Sequence, residues 1–511
     1  MDTFGQLMAG FSAVLSWENL LLAFIGCVLG MLVGILPGFG PAAAVAILLP
    51  VTFALGPVPA IIMLAAILYG ASYGGTITAV LLNVPGETSS VATTIDGYQM
   101  AKRGRAGAAL TIAAIGSFVG CIVGLIGFVV AAPLSRFALA FGPTEFFALT
   151  ILGLSLVIGL AGKSIVKALI SALFGLAIGM VGLDPLTGVP RFTFDQAPLL
   201  DGINFIAVVM GLFGVSELLA TVDHSSKFGR ALPVGKIWPT RTDFRRSVGP
   251  ILRGAPLGFF FGLLPGSPGA ATSFASYAIE KAVSKRKSEF GKGAIEGVAG
   301  PETANNSLAI AGMIPLFTLG VPTSATTAIL MGAFIVNGLL PGPLLFQNNP
   351  DIAWTIIASM FVGNVILLIL NIPLVRVWVA FLKTPFPVLF AVVFGFMILG
   401  AYTLDGSVFN IGVLLIFGVL GYLMRKIDIP LAPMALTIVL GDLMESNLRR
   451  ALAISRGDAA VFIESPISLT LLIIAAVAIV ASIVGRQLGQ RAAARKLLTE
   501  RADTAVAEEK A

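Results

Sequence analysis

Apolar segments of bilayer length alternate along this 511-residue chain with clusters of proline, glycine and hydroxyl residues. That combination restricts the fold more than any other feature. An unpaired backbone N–H or C=O costs several kcal/mol in hydrocarbon, so a helix breaks only where protein or a wet cavity surrounds the break. Within Gly297–Leu330 two clusters stand out, Gly300-Pro301-Glu302-Thr303-Ala304-Asn305-Asn306-Ser307 and Gly320-Val321-Pro322-Thr323-Ser324-Ala325-Thr326-Thr327. Both are expected to break their helices near mid-membrane, where helix N-termini favour anions and freed carbonyls favour cations. With 57% hydrophobic and 11% charged residues, against about 25% charged in soluble proteins, no hydrophilic block remains for a soluble domain.

The breaks recur. Gly34-Ile35-Leu36-Pro37-Gly38 is echoed by Gly262-Leu263-Leu264-Pro265-Gly266, and Asn83-Val84-Pro85-Gly86-Glu87-Thr88-Ser89 by Gly320-Val321-Pro322-Thr323-Ser324. Paired breaks in two halves of a membrane chain point to a transport site. Charge relates the halves. The Thr52–Pro59 link is uncharged while its counterpart, Lys281–Lys292, is basic; the basic Lys102–Arg105 loop matches the uncharged Asn337–Asn349 loop. By the positive-inside rule, equivalent loops face opposite sides. The expected fold is therefore an all-α polytopic membrane protein of two inverted-topology repeats, whose broken or re-entrant helices meet at mid-membrane.

The first repeat is expected over residues 1–222, a basic cytoplasmic linker over 223–253 and the second repeat over 254–466. A final transmembrane helix and basic tail occupy 467–511. Lys102–Arg105, Lys163, Lys167, Lys227, Arg230, Arg376, Lys383, Arg425 and Lys426 are assigned to the cytoplasm, with Asp96 in its loop. Asp184–Asp201 and Arg449, Arg450 and Arg456 go to the outer face, and the basic tail after Arg486 places the C-terminus inside. Small-residue faces at Gly26, Gly30, Gly34 and at Gly116, Gly120, Gly124 predict close helix contacts.

Other functions find little support. Gly38-x-Gly40-x-x-Ala43 imitates a dinucleotide fingerprint but follows no strand. There is no P-loop, no Gly-x-Ser-x-Gly elbow and no paired-histidine zinc motif, and His224 is the single histidine. Neither an enzyme nor ATP-driven transport is expected. Cys27 and Cys121 lie apart in apolar runs and predict neither disulfide nor metal site. The net charge of +6 is a topology signal, with no nucleic-acid partner implied. The N-terminus lacks the basic region of a signal peptide.

Each candidate site residue has two readings. Pro37 and Pro265 are either kinks or site-forming breaks. Thr303, Asn305, Asn306, Ser307, Thr323, Ser324, Thr326 and Thr327 are either interhelical glue or a polar site. Glu87 and Glu302 are either intramembrane functional acids or caps on half-helices near the interface. Glu217, ending an apolar run, reads as an interfacial or packing acid.

Several motifs resemble the large membrane subunit of tripartite tricarboxylate transporters, the TctA family. They are Gly34–Gly38, Tyr69-Gly70-Ala71-Ser72-Tyr73-Gly74-Gly75, Val84-Pro85-Gly86-Glu87, Asp96-Gly97-Tyr98 and Gly211–Glu217. Leu264-Pro265-Gly266, Gly300–Asn306, Gly320-Val321-Pro322, Pro430–Pro433, Leu440-Gly441, Glu445 and Arg449-Arg450 continue the match. The resemblance implies a multi-pass bacterial inner-membrane permease of about twelve spans. It would work with a small TctB-like membrane subunit and a periplasmic TctC-like solute-binding protein. Uptake of citrate-like di- or tricarboxylates would be driven by sodium or protons, without other cofactors.

In that role, Pro85, Gly86, Glu87, Thr88, Ser89, Pro322, Thr323, Ser324, Thr326 and Thr327 would bind substrate. Gly38, Gly266, Glu302, Thr303, Asn305, Asn306 and Ser307 would couple the ion, with Na+ at Asn305, Asn306 and Ser307, or a proton on Glu87 or Glu302. A passive channel, or a permease for other small organic solutes, is the alternative. A homodimer is left open, and lipid is the surrounding partner.

Overall fold

The computed structural model describes residues 3–134, 141–160, 164–184, 186–224, 231–267, 269–382 and 384–483. Lys163, Lys227, Arg230, Lys383 and the tail after Arg486 lie outside the described residues. Helices α1 (Thr3–Val14) and α2 (Trp17–Gly34) run into the Pro37 break, followed by α3 (Pro41–Leu48) and α4 (Pro57–Leu82). After the Pro85 break come α5 (Val91–Lys102), α6 (Ala106–Ala131), α7 (Pro143–Leu160) and α8 (Ile165–Gly179). A loop with a two-stranded hairpin, Gly182–Leu183 against Pro190–Arg191, leads to α9 (Phe205–Val209), a π-helical turn at Met210–Val215 and α10 (Ser216–His224).

The second half begins with α11 (Arg241–Gly262), breaks at Pro265 and continues as α12 (Gly269–Val283), α13 (Glu296–Ala311) and α14 (Met313–Leu319). Beyond the Pro322 break lie α15 (Ala325–Val336), α16 (Pro343–Asn348), α17 (Pro350–Asn371) and α18 (Val375–Phe381). The described chain ends with α19 (Phe386–Thr403), α20 (Val408–Lys426), α21 (Leu431–Ile454), α22 (Val461–Glu464) and α23 (Pro466–Ile483). Among the described residues, seven helices are long and apolar enough to cross a membrane, and five more are apolar but shorter. The multi-pass class follows. At about 1.5 Å per residue, α3 with its 3-10 extension and the 12-residue α15 reach only part way across a hydrocarbon core of about 30 Å.

Close packing of α2 on α4 follows from the glycine stripe. A Cβ on Gly26, Gly30 or Gly34 would sit 2.6, 2.3 or 2.3 Å from the carbonyl oxygens of Met63, Ile67 and Ala71. The second predicted stripe packs across the halves, with a Cβ on Gly120 falling 2.3 Å from the Thr303 carbonyl. A third stripe, missed in the sequence, is Gly254, Gly258 and Gly262 on α11. It lies against the carbonyls of Gly300, Ala304 and Leu308 at 2.5, 2.1 and 2.5 Å. Thus α2 on α4 and α11 on α13 are matching pairs, each ending at a leucine-proline-glycine break. Elsewhere the halves exchange partners: α8 packs on α21, while α20 packs on the π turn and α10.

Two expectations need correction. The Gly300–Ser307 cluster does not break its helix, since α13 runs through Pro301. Pro301 falls in the second turn, where the loss of one N–H is tolerable in a helix buried against α4, α5, α6, α11 and α12. The interruption comes after Leu319, where Gly320 takes φ +72°. Nor is Asp96 in a loop. It is fully buried in α5 and accepts from Tyr277 Oη at 2.8 Å and from the Gly293 and Ala294 N–H groups at 2.6 and 2.9 Å.

Contacts join residues assigned by charge to the same face. On the basic side Arg105 pairs with Asp243 at 2.6 Å, Lys167 Nζ donates to the Ile427 carbonyl at 2.5 Å, and Lys426 pairs with Asp223 at 3.3 Å. On the other, Arg449 reaches Asp184 at 2.7 Å and Arg191 reaches Glu445 at 2.7 Å. The N–H groups of Leu186 and Thr187, at 2.9 and 3.0 Å, and the Arg449 guanidinium hold the Asp184 carboxyl well below the usual carboxylate range.

Gly30→Leu is expected to cost at least about 1–3 kcal/mol through forced separation of α2 from α4. Gly412→Leu, where a Cβ meets nothing within 4 Å, serves as the control. Equal thermal midpoints for the two variants would refute this packing. Because the Asp184 carboxyl is depressed, its contribution is present above its unfolded value near ~3.9 and lost as pH falls through the folded one. Acidification below about pH 4, or Asp184→Asn at neutral pH, should speed hydrogen exchange in the Gly182–Arg191 hairpin; unchanged exchange under both conditions counts against the network.

Candidate functional site

Both leucine-proline-glycine turns need a left-handed residue, with φ +89° at Gly38 and +77° at Gly266. A side chain there would be strained. Every break is followed by a helix start. Gly40 caps α3, a 3-10 turn at Thr88–Ser90 opens α5, Gly269 opens α12 and Ser324 caps α15. The last start is a capping box: the Thr327 N–H donates to Ser324 Oγ at 3.3 Å, while Thr327 Oγ1 accepts from the Thr323 and Ser324 N–H groups at 2.9 and 2.8 Å.

These starts lie together. The Cβ position of Gly40 is 3.1 Å from Glu87 Cβ, and that of Gly269 is 2.8 Å from Ser89 Cβ. The Gly266 N–H donates to the Thr323 carbonyl at 2.8 Å, and α3 packs on α15 as α5 packs on α12. A Cβ on Gly86 would come within 2.3 Å of Gly75 Cα, so the Pro85 break presses directly on α4. Each helix start carries roughly half a positive charge. Their gathering makes a region suited to anions.

The polar side chains fall into two sets. Glu87 joins the gathered breaks and α13, accepting from Asn305 Nδ2 at 2.9 Å. Thr323 Oγ1 bonds the Gly312 carbonyl at 2.9 Å, Ser89 and Pro322 are buried, Pro85 and Thr326 are half-buried, and Thr88 is exposed. The remaining α13 residues point elsewhere. Thr303 bonds back to the Ala299 carbonyl at 2.7 Å, Asn306 donates to Ser117 Oγ at 2.7 Å, and Ser307 donates to the Ala255 carbonyl at 2.7 Å. Successive helical residues are about 100° apart. Asn305, Asn306 and Ser307 therefore face the Glu87 turn, α6 and α11 and do not converge on one point.

Glu302 is fully buried within α13 and accepts from Thr76 Oγ1 at 2.7 Å and from Thr93 Oγ1. Thr76 and Thr93 escaped the sequence reading because a threonine within a helix does not show which neighbouring helix it will meet. The pairing of Glu217 with Arg425 at 2.6 Å escaped it too. Arg425 reads as a topology charge, yet it holds the carboxylate whose Oε1 is 2.7 Å from the Cβ position of Gly38. Among the described residues no group of three or more His, Cys, Asp or Glu side chains is arranged to hold a metal, and Cys27 and Cys121 are buried free thiols.

Residues 20–436 match the tripartite tricarboxylate transporter TctA family. An uncharacterized 52.8 kDa protein in the TAR-I ttuC' 3' region of Agrobacterium vitis is 48% identical over 474 residues, covering 92% of this chain and 94% of the relative. An uncharacterized protein in the TAR-II ttuC' 3' region of the same organism is 46% identical over 215 residues, covering 42% of this chain and 89% of the relative. No solved structure matches the chain. With most of its length matched and its helix breaks gathered in one region, this chain belongs to the TctA family, the membrane component of tripartite tricarboxylate transporters.

Proposed function

We propose that this chain is the permease subunit of a binding-protein-dependent secondary transporter, importing citrate-like di- or tricarboxylates across a bacterial inner membrane. A sodium or proton gradient drives uptake. A small TctB-like membrane subunit and a periplasmic TctC-like binding protein complete the assembly. The observation that carries this reading is the gathering of four helix starts, at Gly40, Thr88, Gly269 and Ala325, around a half-buried carboxylate. Backbone N–H groups at those starts hold substrate carboxylates, with the Ser89, Ser324 and Thr326 hydroxyls beside them. Glu87, drawn toward α13 by Asn305, occupies the region's positive field between cycles and yields it to the incoming anion. The two halves are inverted repeats that exchange conformations to open the region to either side. The exchanged packing of α8 on α21 and of α20 on α10 supports that reading.

The test is uptake of labelled citrate, and of other di- and tricarboxylates, by vesicles holding this chain with its small subunit and binding protein. Sodium, proton and zero gradients are compared. Accumulation that needs both a gradient and the binding protein is expected; equilibration needing neither would mean a channel. Asn305→Ala removes a hydrogen bond to a charged group and should lower uptake about ten- to a hundredfold. Wild-type uptake by that variant would remove Glu87 and Asn305 from the site.

A further inference from the structure

Arginine–carboxylate pairs in this molecule take two forms. Arg246 and Arg253 each grip both oxygens of one glutamate. Nε and Nη2 of Arg246 donate to Glu296 Oε1 and Oε2 at 2.7 Å each, and those of Arg253 to Glu280 Oε1 and Oε2 at 2.9 and 2.5 Å. Arg425 differs. Its Nη2 meets Glu217 Oε2 at 2.6 Å, but its Nε is buried with no hydrogen-bond partner among the described residues. The guanidinium edge that holds a whole carboxylate elsewhere is here half filled. A buried N–H of a charged group is costly to leave unpaired, so this one calls for an acceptor.

The position of the pair says which acceptor. Glu217 is buried in the first turn of α10, directly after the π-helical turn at Met210–Val215, and such turns frequently mark functional sites. Both α3 and α20 pack on that turn. Glu217 Oε1 lies 2.7 Å from the Cβ position of Gly38, and Thr221 Oγ1, one turn further along α10, lies 3.6 Å from it. Gly38 is two residues from Gly40, the start of α3 that borders Glu87, and two residues span at most about 7 Å. Arg425 arrives from the last turn of α20, where the adjoining Lys426 pairs with Asp223 at 3.3 Å. Its guanidinium thus reaches inward from a basic end of the molecule to the Pro37–Gly38 break. Helix starts supply only partial positive charges. Arg425 sets a whole one at the edge of the region they form.

We propose that Arg425 binds one carboxylate of the substrate through Nε and Nη2, with the Thr221 hydroxyl beside it. A second carboxylate of the same molecule lies at the Gly40 helix start. Glu217 holds the guanidinium in the absence of substrate and is displaced by the incoming carboxylate. The proposal rests on the carboxylate reading above and narrows it. Two anionic groups on one molecule are needed to fill both positions, so the chain selects di- and tricarboxylates over monocarboxylates.

The test is binding of succinate and of butyrate, which differ by one carboxylate, to the purified full-length chain without gradient or partner subunits. The unaltered chain should bind succinate more tightly. Arg425→Lys keeps the charge but loses the fork, and Arg425→Gln loses both. Each should weaken succinate binding about ten- to a hundredfold and affect butyrate far less. Glu217→Gln removes the competing carboxylate and should tighten succinate binding, whereas a merely structural pair predicts a loss like that of the Arg425 variants. Lys426→Gln, one positive charge fewer at the same helix end, should leave the preference nearly unchanged. Each variant's unfolding midpoint without ligand reports its folding. Unchanged succinate binding in both Arg425 variants, or weakened binding in Glu217→Gln, overturns this site and leaves the carboxylate reading standing. Failure of the unaltered chain to bind any carboxylate, citrate included, removes that reading and the site with it.

Discussion

A backbone group that leaves a helix inside a bilayer must find a partner in the protein, because lipid offers none. Here the constraint acts four times, at the breaks around Pro37, Pro85, Pro265 and Pro322, and the solution is to bring the breaks to one another. The Gly266 N–H ends on the Thr323 carbonyl, the Thr323 and Ser324 N–H groups end on the Thr327 hydroxyl, and the Glu87 and Ser89 turn lies against Gly40 and Gly269. Satisfying the backbone and building an anion-attracting region are one structural act. Helix starts clustered to meet their own hydrogen-bond needs also sum their dipoles.

Glycine stripes make that clustering possible. On α2 and α11 they let two long helices approach α4 and α13 to backbone contact, which brings the break after α2 level with the middle of α4 and the break after α11 level with the C-terminal end of α13. The stripe on α6 ties the first half to α13 of the second. Along these glycine stripes the helices are held by backbone proximity and dispersion, as suits helices already surrounded by apolar solvent. Charged pairs are largely left to the two ends, where Asp243, Arg105, Asp184 and Arg449 lie.

Much of this was legible beforehand, for reasons that can be traced to particular residues. Pro37, Pro85 and Pro265 carry breaks where proline, which lacks a donor, is followed at once by a glycine. Gly26, Gly30 and Gly34 predict a contact because their spacing puts them on one helix face. Arg105, Lys167 and Arg449 report a membrane side because charge is excluded from the interior. Pro301 misled because the same residue is tolerated near the start of a buried helix. A local rule that weighs proline without its position in the helix cannot tell the two cases apart.

The amino-acid sequence by itself determined the membrane class, most of the places where helices break and the grouping of charged loops, since each depends on composition or on neighbours a few positions apart. Only the tertiary structure decided which polar groups meet. Thr76 and Thr93 on Glu302, Arg425 on Glu217, Asn305 on Glu87, and the divergence of Asn306 and Ser307 onto separate helices all join residues distant in the chain. In a helix surrounded by other helices every face is buried, so periodicity no longer says which neighbour a side chain will find; the packing angle and depth of each helix settle it.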